Sequence, residues 1–238
     1  MSHQFTVTTL RKPKDEDYGS WNGQSVADRR IRQIEDSIAR TAQKGKLPLW
    51  EGYAALAGSG YGRNVSDGAK RSINEVRSAK AICRFYAWLA TRKRPEAILE
   101  FGAAFGASGM YWLAGLEENG AGTLHSFEPN QRWCEIARDN FATVSSRFVL
   151  TCGTFEDNIA LVPSGIGIVL IDAIHTRAFV DQQFALVRTI AGPGALVVFD
   201  DINFSDDMRA CWAAVAAGPE WTGVWELGRR AGMIQLPS

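Results

Sequence analysis

The sequence has no excess of charge of either sign. Among its 238 residues, Lys and Arg total 26 and Asp and Glu total 26, so the formal net charge is zero with neutral histidines. Proteins that bind nucleic acid or an anionic membrane surface usually carry a basic surplus. The balance therefore favours a compact small-molecule substrate, and it predicts no nucleic-acid partner and no membrane partner.

Patterns for membrane insertion, export and structural zinc are also missing. No stretch approaches the roughly 20 apolar residues that span a bilayer, and the N-terminal residues lack the apolar core of a signal peptide. These absences predict a cytoplasmic location. The four cysteines form no C-x-x-C pair and have no zinc-type histidine arrangement, which predicts reduced thiols in the core, at Cys83, Cys134, Cys152 and Cys211.

The first 95 residues divide into two parts. Residues 1–24 are polar and aperiodic, which predicts a flexible N-terminal arm. In residues 25–95, apolar side chains recur at helical spacing, first from Ile31 to Ile38 and again from Ile73 to Leu89. We expect this helical region to cap a substrate site and to provide the surface for a homo-oligomer.

Residues 96–238 show a different pattern, in which short apolar runs alternate with helical segments. This alternation is typical of successive βαβ units and a parallel sheet. The turn Gly228–Gly232 is too short for a parallel crossover, so the strands on either side of it are predicted to form an antiparallel hairpin. The predicted fold is a doubly wound α/β domain with a mostly parallel seven-stranded sheet, an antiparallel C-terminal hairpin and an N-terminal helical extension. The predicted strands cover residues 97–101, 123–127, 148–152, 166–171, 195–199, 224–227 and 233–236.

The segment ILEFGAAFGASG, from Ile98 to Gly109, is predicted to be a buried strand that runs into a glycine turn and then opens a helix. Glycines let a ligand approach the backbone, and the start of a helix offers free N–H groups. Because position 104 is alanine, the G-x-G-x-x-G pattern of dinucleotide-binding loops is incomplete. Taken alone, the segment fits a plain tight turn as well as a nucleoside site.

An acidic side chain, Glu128, stands at the tip of the next predicted strand. A carboxylate in this position can accept both hydroxyl hydrogens of a ribose through its two oxygens. The alternative is a solvated carboxylate at a strand end. Together with the glycine loop, Glu128 predicts a ribose-bearing cofactor.

Two further predicted strands end in acidic residues. Asp172 follows the strand at 166–171, and the pair Asp200 and Asp201 follows the strand at 195–199. Parallel neighbours lie roughly 4.8 Å apart and would deliver these carboxylates to the same edge of the sheet. Such a cluster is unfavourable unless a cation or raised pKa values neutralise it, and its oxygens suit Mg²⁺. Alternatively, Asp200 is only a strand-end acid.

This ordered set of motifs resembles the class I S-adenosylmethionine-dependent methyltransferases. The spacing E-x-G-x-x-x-G resembles the first cofactor motif of that family, and I-D-A-x-H followed by G-P-G-x-x-x-x-x-D-D-I resembles its metal-dependent small-molecule O-methyltransferases. The resemblance covers roughly residues 97–212. It implies a magnesium ion held by Asp172, Asp200 and Asp201, and an S-adenosylmethionine site formed by Glu100, Gly102, Gly106, Ser108, Glu128, Gly153, Thr154 and Asp172.

His175 is the expected general base, with Asp172 beside it in the catalytic set. An unperturbed imidazole titrates near pH 6.5 and accepts a hydroxyl proton at neutral pH. A metal ligand and a helix-capping residue are the other roles open to His175. The competing functions are a nicotinamide-dependent oxidoreductase, which needs the missing glycine pattern, and a non-catalytic binding or assembly protein on a methyltransferase fold.

Overall fold

The computed structural model describes residues 5–13, 17–50, 52–53 and 68–238. In these residues the helices are α1 (Asp28–Ala42), α2 (Ile73–Val76), α3 (Lys80–Lys93), α4 (Ala107–Asn119), α5 (Gln131–Ala142), α6 (Phe155–Asn158), α7 (Arg177–Ile190) and α8 (Asp206–Ala216), with 3-10 turns at Tyr18–Ser20 and Ile159–Leu161. The strands are β1 (Val7–Arg11), β2 (Leu47–Pro48), β3 (Lys70–Arg71), β4 (Ala97–Phe101), β5 (Thr123–Phe127), β6 (Phe148–Thr151), β7 (Ile166–Ile171), β8 (Ala191–Phe199), β9 (Gly223–Leu227) and β10 (Ala231–Gln235).

A single large sheet organises the described residues, in the order β1-β9-β10-β8-β7-β4-β5-β6. The strands from β8 to β6 pair in parallel, whereas β10 pairs antiparallel with both β8 and β9. Successive residues of β4 enter different cores, because Ile98 contacts one apolar cluster and Leu99 the other. Helices α1, α3, α4 and α5 supply the first cluster, and α7 and α8 supply the second. The predicted doubly wound α/β fold is confirmed.

The described sheet has eight strands rather than the predicted seven, and the additional strand is β1. Val7 pairs with Leu227 of β9, and the nearby Tyr18 is buried with its ring 5.7 Å from that of Trp225. An edge strand replaces the predicted flexible arm over these residues. Most of β1 is exposed, so it carries no apolar alternation, and its partner lies at the far end of the sequence.

The helical region predicted for residues 25–95 contains α1, α2 and α3. The predicted periodic run from residue 73 to residue 89 is divided between α2 and α3, because Arg77 has an extended backbone with ψ near 143°. Within this region, residues 51 and 54–67 lie outside the described residues. Among the described residues, no helix combines the length and the apolar character that a membrane span requires.

The oxidation state of two of the four cysteines differs from the prediction. Cys134 of α5 and Cys152, which follows β6, form a disulfide with their Cα atoms 5.7 Å apart. The expectation of reduced thiols is therefore wrong for this pair. The β5-α5-β6 crossover, not closeness in sequence, brings the two residues together. Cys83 and Cys211 are free and buried.

Candidate active site

A cavity of about 610 Å³ opens at the carboxyl edge of the parallel strands. This volume lies within the range of pockets that hold small ligands and cofactors, roughly 300–1,000 Å³. Segments that follow β4, β5, β6, β7 and β8 contribute to its wall. Of the residues predicted for a site, those on the wall are Gly102, Glu128, Gly153, Thr154, Asp172, His175 and Asp201.

The loop after β4 comes very close to the loop after β7. Gly102 has a φ of 80°, and a Cβ at this position would lie 2.1 Å from the carbonyl oxygen of Asp172. The backbone N–H groups of Gly102 and Ala103 both donate to the carbonyl of Phe127, at 3.1 and 3.0 Å. A pyrophosphate would need such amides for itself, so the loop is poorly suited to a dinucleotide.

Glu128 is 4% exposed, and backbone amides hold both of its carboxylate oxygens. The N–H of Ala104 donates to Oε2 at 2.7 Å, and the N–H of Asn130 donates to Oε1 at 2.8 Å. Burial raises the pKa of Glu128 to about 8, against the lowering effect of these two amides. A carboxylate has about four acceptor sites, so both oxygens keep a lone pair for a ligand in the cavity.

Three of the predicted cofactor residues, Glu100, Gly106 and Ser108, are not among the described residues that line the cavity. The side chain of Glu100 is fully buried, where Oε2 accepts a hydrogen bond from Ser126 at 2.7 Å and burial raises its pKa to about 7. A Cβ on Gly106 would lie 2.8 Å from the ring of Phe141. These three residues belong to the packed interior beside the loop and not to the cavity wall.

Thr154 lies on the wall, but its hydroxyl group is already engaged. It donates to the Asp157 carboxylate at 2.7 Å and accepts from the Asp157 N–H at 3.3 Å, which caps α6. Phe155 is 2% exposed and stacks on Phe101 with centroids 4.2 Å apart, so it belongs mainly to the core. The backbone of Gly153 and Thr154 is therefore what this segment offers to a ligand.

The strand-end acids meet as predicted, and His175 lies among them. Its Nε2 is 3.3 Å from Oδ2 of Asp201 and 3.8 Å from Oδ1 of Asp172. The imidazole is 14% exposed, and burial lowers its pKa below the ordinary 6.5, although Asp201 and Asp200 act in the opposite direction. The imidazole is therefore neutral at pH 7.

Arg230, which the sequence analysis did not single out, binds the innermost acid. Its Nε is 2.9 Å from Oδ1 of Asp200 and its Nη2 is 2.7 Å from Oδ2, a two-pronged ion pair with a carboxylate that is 1% exposed. Nη2 also lies 3.4 Å from Oδ1 of Asp201. Because Gly232 pairs with Phe199, the turn before β10 reaches the edge where β8 ends. Arginines in a turn of the C-terminal hairpin were the available sequence signal.

Arg230 neutralises one of the three carboxylates of this cluster, that of Asp200. Arg230 holds the pKa of Asp200 below its usual range, whereas burial and the Asp200 charge raise the pKa of Asp172 well above it. Both oxygens of Asp200 accept from Arg230, and Asp200 is not among the described residues that line the cavity, so this carboxylate is already paired with a cation away from the cavity wall. The part of the chain that the structure describes contains no group of three His, Cys, Asp or Glu side chains arranged to hold a metal. The residues present do not fit the predicted magnesium site.

Comparison with known proteins gives one match to a protein family. Residues 99–202 match a family model described as a methyltransferase domain. This segment is therefore similar to a methyltransferase domain. The matched segment begins within β4 and ends just after Asp201, so it includes Glu128, Asp172 and His175. A comparison with curated proteins found no match.

Several solved structures share the fold of this chain. The O-methyltransferase TomG from Streptomyces achromogenes, in complex with SAM, is 16% identical with a TM-score of 0.58, covering 88% of this chain and 99% of its own. The SAH-bound methyltransferase PaMTH1 from Podospora anserina is 13% identical with a TM-score of 0.61, covering 87% and 96%. An O-methyltransferase from Bacillus cereus, in complex with SAH, is 17% identical with a TM-score of 0.56, covering 86% and 100%. The predicted methyltransferase fold is confirmed.

The cavity is completed by residues that precede the matched segment in sequence. Trp50, Arg71 and Arg77 lie on its wall. Arg77 is fixed by Glu35, whose Oε2 is 3.6 Å from its Nη1. Glu35 also accepts a hydrogen bond from the hydroxyl of Tyr111 at 2.6 Å. The helical region thus encloses part of the space that faces the strand-end acids.

Proposed function

We propose that this protein binds S-adenosylmethionine in the cavity and transfers its methyl group to a hydroxyl oxygen of a small molecule. The observation that carries the proposal is the buried carboxylate of Glu128, whose two oxygens are fixed by backbone amides at the cavity wall. This geometry suits the adjacent hydroxyl groups of a ribose. The TomG and PaMTH1 structures, which share the fold, hold SAM and SAH respectively.

The bound cofactor supplies an electrophilic methyl group on a positively charged sulfur. Gly102, on the cavity wall, lets the loop after β4 pack against the loop after β7, because a side chain there would meet the backbone of Asp172. Gly153 and Thr154, on the next wall segment, offer backbone groups to the adenine. A cofactor without phosphates agrees with the amides of Gly102 and Ala103 being used within the protein.

His175 accepts the proton of the acceptor hydroxyl. Its neutral imidazole lies on the cavity wall, and Asp201, 3.3 Å from Nε2, stabilises the imidazolium that forms. Asp172, 3.8 Å from the same nitrogen, holds the ring from another side. A base of this kind contributes about 10²–10⁴-fold to the rate of proton transfer from a hydroxyl group.

The first experiment is a calorimetric titration of the protein with S-adenosylmethionine and with S-adenosylhomocysteine. We expect both to bind, and we expect Glu128→Gln to weaken binding by about 10–100-fold, because a ribose hydroxyl that loses its acceptor oxygen on burial costs about 1–3 kcal/mol. Glu220→Gln is the matched control, since Glu220 is exposed and lies away from the cavity. Binding of NADH in place of both sulfur compounds would refute the proposal.

A further inference from the structure

We propose that Arg230 is the resident cation of the acceptor site, where it selects a hydroxyl acidic enough to ionise, as in a phenol or an enol, and takes the place of a divalent metal. This inference rests on the proposed function, because it specifies the acceptor of the same site. Arg230 forms an ion pair with Asp200 and lies on the cavity wall.

The guanidinium has donors left after it binds Asp200. Arginine carries five N–H groups, and the contacts with Asp200 and Asp201 use Nε and Nη2. With the residues that the structure describes, Nη1 makes no hydrogen bond to a side chain or to the backbone. The side chain is 34% exposed whereas Asp200 is buried, and Arg230 contributes to the cavity wall.

The base and the cation are held by one carboxylate. Oδ2 of Asp201 is 3.3 Å from Nε2 of His175, and Oδ1 of the same side chain is 3.4 Å from Nη2 of Arg230. Asp201 therefore spaces the two groups along the same wall. An acceptor oxygen that enters here meets a neutral base and a permanent positive charge together.

These groups account for the bonds, the electrons and the proton involved in the transfer of the methyl group. The acceptor O–H bond breaks and its proton goes to the imidazole of His175, while an oxygen lone pair forms the new bond to the methyl carbon. The bond between that carbon and the cofactor sulfur breaks, and its electrons stay on sulfur as a neutral thioether. Arg230 stabilises the negative charge on the oxygen before the methyl group arrives, and the imidazolium later releases its proton to water.

Ionisation of 4-nitrophenol in the presence of S-adenosylhomocysteine tests the acceptor site directly. Because the phenolate absorbs visible light, its pKa can be followed while it is bound. We expect the protein to bind the phenolate at least tenfold more tightly than the phenol, and we expect Arg230→Ala to abolish this preference. Arg229→Ala, an exposed arginine in the same turn, should retain it. Failure to bind, or a preference that Arg230→Ala leaves unchanged, would overturn the proposal.

The loss of Arg230 leaves Asp200 buried without its partner, so Arg230→Ala is paired with the double variant Arg230→Ala/Asp200→Asn. The double variant removes both charges, and circular dichroism checks its fold. It should also lose the preference for the phenolate while it keeps its affinity for S-adenosylhomocysteine. If the unsubstituted protein does not bind S-adenosylhomocysteine at all, the result counts against the proposed function and not against the role of Arg230.

Titration with MgCl₂ provides the second arm of the test. The unsubstituted protein and Arg229→Ala should show no saturable binding of Mg²⁺ at millimolar concentration, and methyl transfer should survive exhaustive chelation. Saturable binding of one Mg²⁺ that Asp200→Asn abolishes would overturn the assignment of Arg230 as the resident cation.

Discussion

Asp201 has a φ of 49°, in the left-handed region that is unfavourable for residues other than glycine. Aspartate tolerates this conformation better than most residues, at a cost of roughly 1–2 kcal/mol. The strained backbone aims one carboxylate at both His175 and Arg230. Strain of this kind persists where the surrounding structure over-determines it, and it is common at functional sites.

The ionisation of His175 should set the acidic limit of activity. Burial lowers the pKa of His175 and Arg230 acts in the same direction, whereas Asp201 and Asp200 act against them. The base is active when neutral, so methyl transfer should fall as the pH drops through a pKa below the ordinary 6.5. His175→Gln should lower kcat by about 10²–10⁴-fold and remove this pH limb.

Affinity for S-adenosylhomocysteine is the control measurement for His175→Gln and should stay unchanged. His125→Gln is the control variant, because His125 lies in β5 and is not among the described residues of the cavity wall. An acidic limb that persists in His175→Gln would mean that another group is the base.

At the residue scale, positions at strand ends were predictable and contacts across the hairpin were not. Glu128, Asp172 and Asp201 follow apolar strands directly, so their meeting at one edge follows from the parallel sheet. The position of Arg230 depends on which strand lies next to β10, and a single sequence does not show strand order. Glu100 was expected near the cofactor, but the burial of a side chain inside a strand depends on the contacts of both sheet faces.

Among the elements, buried strands were predicted best. The predicted bounds of β4, β5 and β7 agree with the structure. Strands β4 and β7 are almost wholly buried, and apart from Glu100 their sequences are continuously apolar. The prediction missed β1 because it is an exposed edge strand whose partner is distant in sequence. The sequence did not reveal the break between α2 and α3, because the helical spacing of apolar residues continues across Arg77.

The disulfide should stabilise the cofactor side of the domain. Cys134 and Cys152 are 18 residues apart, and closing a loop of about this length contributes about 3 kcal/mol. We expect dithiothreitol to lower Tm by roughly 5–10 °C, as measured by circular dichroism. The double variant Cys134→Ser/Cys152→Ser should have a lowered Tm that no longer responds to the reductant. Four titratable thiols in the denatured, unreduced protein would contradict the cross-link.

On the scale of the whole molecule, β1 covers an edge that would otherwise be open. It pairs with β9, whose residues are mostly buried, and Arg11 donates from Nη1 to the carbonyl oxygens of Gly218 and Trp221, at 2.6 and 3.1 Å. An uncovered strand edge is a template for pairing with another chain. The first strand therefore protects the hairpin that carries Arg230.

Deletion of residues 1–12 should expose this edge. We expect a lower Tm and concentration-dependent self-association, measured by light scattering after size-exclusion chromatography, because β9 would lose its outer partner. Deletion of residues 1–4, which precede β1, is the control and should leave both properties unchanged. A monomer of unaltered Tm after the longer deletion would show that β1 contributes nothing to the sheet.

The pairing of β1 with β9 also limits when this part of the sheet can form during protein synthesis. Arg11 and Gly218 are 207 residues apart, so β1 leaves the ribosome long before the hairpin that receives it has been synthesised. Long-range pairings of this kind close slowly, because the entropy of loop closure must be overcome first. The joining of β1 to this hairpin therefore has to wait until the hairpin has been translated, and until then β1 has no partner in the sheet.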